Sequence, residues 1–193
     1  MDDTLLNSLF TELTSWNDIK APALAISDEN CTFPVEITGL QGSLPAFLIT
    51  KYLDRQAFTK ANQTVLVLVP DMHEAHSLLS DLQTLNAKSK QPVELLLFPS
   101  FSDLPYRQAA QGNLTFGRRA GVLAKLALSN PTTDVRRIVV ATERALLHAL
   151  PPPKHLRSHA FKIQKGSSID SQKTAQTLTE CGYIRVPKVS ARG

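Results

Sequence analysis

Cysteine is nearly absent from this chain: two residues in 193, Cys31 and Cys181, far apart and without CxxC spacing. That excludes a disulfide scaffold and a cysteine-built zinc site, and fits plain thiols in a reducing compartment. No apolar run approaches the ~18 residues that a membrane helix needs. The opening Met1-Asp2-Asp3 lacks the basic and apolar regions of a secretory signal, so the expected location is the cytoplasm. Aromatic residues are only 6% of the chain and do not interleave with the basic ones, so nothing reads as a base-stacking platform. Repeats and low-complexity tracts are missing as well. What remains is ordinary globular material, 42% apolar and 20% charged, and enough of it to bury a core without disulfides or metals.

The net charge of +4 hides an asymmetry. Residues 1–100 hold 6 Lys/Arg against 12 Asp/Glu, whereas residues 101–193 hold 15 against 5. Such a split points either to a polyanion or acidic partner for the basic half, or to scattered solvated cations. The basic residues come only in short pairs such as Arg118-Arg119 and Arg136-Arg137.

Along the chain, Leu5, Leu6, Leu9, Phe10, Leu13 and Trp16 recur at helical spacing and predict an amphipathic leading helix. The segment 64–70 (TVLVLVP) is a continuous apolar, β-branched run of the kind a strand buried on both faces requires. Asp71 then caps a helix to about Asn86, with Glu74 in the capping-box position. Residues 93–98 read as the next strand, 115–128 as a helix, 136–141 as another buried strand, and 143–150 as a helix capped by Thr142. Pro151-Pro152-Pro153 stops that helix and marks the clearest boundary. Beyond it, 159–164 reads as a strand, Ser168/Asp170 to Glu180 as a helix closed by Gly182, and 183–186 as a further strand. Strands alternating with helices predict an α/β fold with a parallel sheet and helices on both faces, followed by the start of a smaller α+β domain. The expected division is 1–33 as helix and linker, 34–153 as the main domain, and 154–193 as the opening of a second.

The segment most informative about function is 35–48 (VEITGLQGSLPAFL): a short strand, a glycine-rich turn, then a helix. Backbone N–H groups and a helix N-terminus cradle phosphates in that geometry. A working loop reads G-x-x-x-x-G-K-[ST]. Laid on Gly39, that pattern puts Leu44 at the second glycine, Pro45 at the lysine and Ala46 at the hydroxyl. Leu44 crowds the phosphate, Pro45 supplies neither ammonium nor N–H, and Ala46 offers no oxygen to Mg²⁺. Proline is tolerated in a helix's first turn, so the turn can survive without its chemistry. Gly39, Gly42, Ser43, Leu44, Pro45 and Ala46 therefore form a degenerate loop, expected to bind no nucleotide.

Several motifs follow this loop in order: 67–71 (VLVPD), 98–100 (FPS), Leu104-Pro105-Tyr106, 138–147 (IVVATERALL), Lys165-Gly166 and Gly182-Tyr183. Over about residues 34–193 the set resembles the UvrB-like module of transcription-repair coupling factors, which is similar to UvrB domain 1a but lacks its Walker A lysine. The resemblance implies a non-catalytic piece of a repair translocase that recruits UvrA and restrains the motor. ATP and Mg²⁺ would then belong to downstream motor domains, as would the contacts to RNA polymerase and DNA, and this segment itself would need no cofactor. It also leaves room for an intramolecular contact with a C-terminal domain. In the family a G-E-[FY]-x-x-R-G type segment carries a central arginine contact, and this chain ends at Ala191-Arg192-Gly193 where that segment would begin. Arg185, Lys188 and Arg192 are the candidates for partner contact, against the alternative of a solvated strand edge.

Two other functions compete. One is a nucleotide-binding domain with an unorthodox loop, and the other is a non-specific DNA-binding module using the basic half, whose affinity would fall steeply with salt. No catalytic residue is assigned, because Gly42-Ser43-Leu44-Pro45 is not a nucleophile elbow. No metal site is assigned either: His73 and His76 flank Glu74 on one helix without a third ligand, as a solvated face would. Tyr106 and Arg107 follow a strand's carboxyl end, where α/β sheets place ligands, and are read as loop packing.

Overall fold

The structure is a computed structural model describing residues 32, 34–53, 64–87, 93–101, 113–129, 136–160, 163, 165–166, 168–181 and 183–186. The leading helix, Cys31, Tyr106, Arg107, Gly182, Lys188 and Arg192 lie outside the described residues. The described elements are α1 (Leu44–Leu53), β1 (Thr64–Val69), α2 (Met72–Asn86), β2 (Glu94–Phe98), α3 (Asn113–Ala127), β3 (Arg137–Thr142), α4 (Glu143–Leu146), α5 (Pro153–His159) and α6 (Ser171–Glu180). The chain divides into two compact units, one of residues 1–98 with 130–143 and one of 99–129 with 144–193.

The first unit is built on a parallel three-stranded sheet in the order β1-β3-β2. β-branched residues dominate β1 and β3, and the parallel α/β fold expected from the sequence is the one observed. The register aligns Val65, Ile138 and Leu95 in one row and Val67, Val140 and Leu97 in the next. These rows pack on α1 and α2. From α2 the buried residues are Ala75, Leu78, Leu82 and Leu85, spaced as one face of a helix. Asp71 starts that helix as predicted, its carboxylate accepting the Glu74 N–H at 2.9 Å. Asn86 ends it by bonding both backbone groups of Val93, which fixes the entry to β2.

The central strand β3 is buried from Ile138 to Thr142. Its neighbour β1 is not buried on both faces, which corrects the sequence reading. Leu66 and Leu68 are 51% and 49% exposed. The apolar run reflects the β propensity of an edge strand whose other face meets α1 and α2.

In the second unit, α5 packs against α3. The guanidinium of Arg157 donates from Nε to the Ala127 carbonyl at 3.0 Å, a cation at a helix C-terminus where the peptide dipoles favour it. The sequence reading differs here in three places. The helix after Thr142 is a single turn to Leu146, a new helix begins at Pro153, and residues 183–186 are exposed without strand pairing. Pro153 starts a helix because its fixed φ suits the first helical position, while Pro152 with ψ 144° supplies the extended residue before it. His159 accordingly closes a helix instead of opening a strand. The helix predicted to end at Glu180 is present, with Asp170 accepting from the N–H groups of Gln172 and Lys173.

Candidate functional site

The glycine-rich turn is formed, but no strand leads into it: residues 34–41 have no regular secondary structure. Only Val35 and Ile37 alternate there, and Val35 is 39% exposed, so there is little apolar surface to hold a strand against the sheet. Gly39 and Gly42 adopt φ of +82° and +57°, the left-handed region that glycine enters without penalty. A Cβ at either would meet no atom within 4 Å, so it is the turn conformation that calls for glycine there.

The helix leaving the turn uses its own first-turn donors. The Leu44 N–H donates to the Gln41 carbonyl at 3.2 Å, and the N–H groups of Ala46 and Phe47 both donate to Ser43 at 3.1 and 3.3 Å. Pro45 has no N–H to give. In a phosphate-binding loop these are the groups that would point at the ligand. Ala46, at the hydroxyl position, is fully buried in the core cluster with Leu53, Val69 and Val140. Its side chain lies against the sheet face, away from the solvent where a metal-bound phosphate would sit.

The first unit also holds a cavity of about 10 Å³, lined by Thr50, Leu53, Leu82, Asn86, Val93, Leu95 and Ile138. That is room for about one water. It lies at the amino ends of β2 and β3, at the opposite end of α1 from the glycine turn.

Of the residues singled out for partner contact, Arg185 is exposed in the segment 183–186 beside Tyr183 and Ile184, which are 67% and 85% exposed. The Tyr183 N–H caps α6 by donating to the Leu178 carbonyl at 3.0 Å. His73 and His76 are exposed on α2, with His76 Nδ1 2.6 Å from the Met72 carbonyl. Among the described residues no group of three or more His, Cys, Asp or Glu could hold a metal ion. No helix among them is long and apolar enough to cross a membrane.

One residue that the sequence reading passed over stands out. Arg119 is 5% exposed, and its guanidinium donates to the Pro99 carbonyl at 2.8 Å and twice to the Ala145 carbonyl at 3.1 Å. It also lies 4.7 Å above the Phe101 ring, which meets His148 edge-on at 5.3 Å. Burial pushes the guanidinium pKa down from its ordinary value. Arg119 thus ties Pro99 to Ala145 of α4 within the second unit. The available signal was spacing: Thr115, Arg119, Val122 and Leu126 fall on one helical face while Arg118 falls outside it.

Fold and turn define a class, the parallel α/β domain in which a glycine-rich turn feeds a helix. Comparison with known proteins then narrows it. The chain is 27% identical over 157 residues to the transcription-repair-coupling factor of Borreliella burgdorferi, covering 81% of this chain and 13% of that protein. It is 28% identical over 144 residues to the transcription-repair-coupling factor of Bacillus subtilis, covering 72% of this chain and 12% of that one. The chain is therefore a relative of the transcription-repair-coupling factors, and spans about an eighth of the length of these two. No family model and no solved structure matches it.

Proposed function

We propose that this chain is the UvrB-like module of a transcription-coupled repair translocase, a protein-interaction element that recruits UvrA and restrains the motor without binding or hydrolysing ATP. Similarity to two coupling factors supports the setting. The observation that carries the non-catalytic part is the state of the turn: every first-turn N–H from Leu44 to Phe47 is either bonded to a protein carbonyl or absent, and Ala46 is buried in the core. A helix N-terminus whose donors are spent on its own chain offers an incoming phosphate no unoccupied cradle. Motor activity, RNA polymerase contact and translocation along DNA belong in this reading to other parts of such a protein.

Two calorimetric titrations test the two halves. ATP with Mg²⁺ added to this chain should give no binding heat up to millimolar concentration, and a micromolar Kd would overturn the non-catalytic half. UvrA should be titrated into this chain and into the same chain joined to the residues that follow the matched region in the Bacillus subtilis relative. Binding by the joined chain alone places the main determinant beyond Gly193, and binding by both places it among residues such as Arg185. Binding by neither ends the recruitment reading.

A further inference from the structure

Helix α5 carries two histidines on one face. His155 and His159 are one helical turn apart, and both are exposed. Their ring centroids lie 4.2 Å apart, with the planes tilted by 36°. The surrounding hydrogen bonds fix which nitrogen of His159 is available. The Ser158 hydroxyl donates to the His155 carbonyl at 2.9 Å, so its proton is committed there. His159 Nδ1 lies 2.9 Å from that same carbonyl and 2.9 Å from the Ser158 oxygen. Both act as acceptors in this arrangement, so Nδ1 carries the ring proton and Nε2 keeps its lone pair. An imidazole that donates Nδ1–H to a backbone carbonyl and presents Nε2 has the tautomer that metal centres use. The ring nitrogens of His155 have no hydrogen-bond partner among the described residues, which leaves its Nε2 open to the same role.

We propose that His155 and His159 form a bidentate site for an imidazole-seeking divalent cation, Zn²⁺ or Cu²⁺, with water in the remaining positions. A tetrahedral ion about 2.0–2.1 Å from each nitrogen needs the two nitrogens about 3.3 Å apart. Rings with centroids at 4.2 Å reach that separation by small side-chain rotations. Two histidines at this spacing on a helix also hold zinc in metalloproteases, but Leu156 stands where their glutamate base would be. The site therefore has no hydrolytic partner. No third His, Cys, Asp or Glu among the described residues completes it, and the Cys181 thiol is turned to the His159 carbonyl at 4.0 Å. Two neutral imidazoles without a carboxylate suit a borderline cation and not a hard one such as Mg²⁺. Bound across i and i+4, the ion staples the two turns of α5, a seven-residue helix too short to hold by itself. Its role is to order that helix. The site is independent of UvrA recruitment, and either proposal can fail alone.

Zn²⁺, Cu²⁺ and Mg²⁺ chlorides would be titrated calorimetrically into the tag-free full chain. Zn²⁺ and Cu²⁺ should each bind with single-site stoichiometry, Cu²⁺ the more tightly, and Mg²⁺ should give no heat. His155→Ala and His159→Ala should each weaken Zn²⁺ binding about 100-fold, the lower end of what a second linked contact contributes. Both positions are exposed, and a metal-free circular dichroism spectrum matching the parent confirms that the variants fold. A second measurement needs no variant. NMR spectra of the parent's histidine ring nitrogens should show Zn²⁺ shifting Nε2 of His155 and His159 while His73 and His76 stay in place. Three results would overturn the proposal: no saturation at millimolar Zn²⁺, unchanged Zn²⁺ affinity in either alanine variant, or ring-nitrogen shifts at His73 and His76 instead. The last would assign the ion to α2.

Discussion

Replacing Arg119 by alanine removes a cation that is 5% exposed and takes a charged donor from two carbonyls, Pro99 and Ala145. Hydrogen bonds from charged groups are worth about 1.5–3 kcal/mol each, and the contact with the Phe101 ring adds about 1 kcal/mol. Against this stands the cost of burying the guanidinium, the same burial that lowers its pKa, which returns several kcal/mol when the charge is removed. The balance is a loss of about 2–4 kcal/mol. Arg119→Lys should recover less than half, because one ammonium on a flexible stem cannot reproduce the fork that reaches both carbonyls. Urea unfolding followed by circular dichroism measures the loss, and native-state hydrogen exchange on α3 and α4 locates it in the second unit. An alanine variant within about 0.5 kcal/mol of the parent would refute the reasoning, since exposed arginines behave that way.

The pH dependence of that difference follows from the sign of the shift. A base whose folded pKa is lowered binds its proton less tightly when folded, but between pH 6 and 9 Arg119 is protonated in both states. The stability gap between parent and Arg119→Ala should therefore stay flat across that window, and a slope would mean another group titrates with it. Asp71→Ala should cost about 1 kcal/mol by removing the acceptor for the Glu74 N–H, read as a shifted urea midpoint at unchanged slope. Gly39→Ala and Gly42→Ala should each cost about 1–2 kcal/mol through positive φ alone, and because no atom lies within 4 Å of the added Cβ, larger losses would contradict the turn geometry.

The sheet was legible in the sequence because β1 and β3 are short β-branched runs and β2 is a short apolar one, and α2 because Asp71 caps a helix whose apolar residues recur at 3.6. The exposure of β1 was not legible. A run such as 64–69 looks the same whether one or both faces are covered, and only its place at the edge of the order β1-β3-β2 decides. The proline triplet misled for a local reason: it ends one element and supplies the N1 residue of the next, and composition cannot separate those roles. Residues 183–186 show the limit of propensity, since Tyr, Ile and Val favour a strand only where another strand is present to pair. At the site, the loss of lysine and hydroxyl was plain in the sequence, whereas the bonding of the first-turn amides and the burial of Ala46 are tertiary facts.

Those tertiary facts bear on an obvious repair of the turn. Leu44→Gly/Pro45→Lys/Ala46→Thr writes the complete phosphate-loop pattern back into the sequence, and if sequence loss were the whole cause, ATP binding should return. It should not. Ala46 is fully buried among Leu53, Val69 and Val140, so a threonine there places a hydroxyl and a methyl in a filled core. Overpacking costs about 1–3 kcal/mol and an unpaired buried hydroxyl about 1–3 more. The strand that holds such a loop taut is also missing from residues 34–41, leaving the new lysine on an unbraced turn. The triple variant should therefore unfold at lower urea than the parent and still give no ATP heat at millimolar concentration. Pro45→Lys alone should change stability by under about 1 kcal/mol, because lysine is a good helix former and position 45 is only half-buried. Tight ATP binding by the triple variant would mean that the turn re-forms around phosphate, and that the lost side chains alone separate this chain from a working nucleotide site.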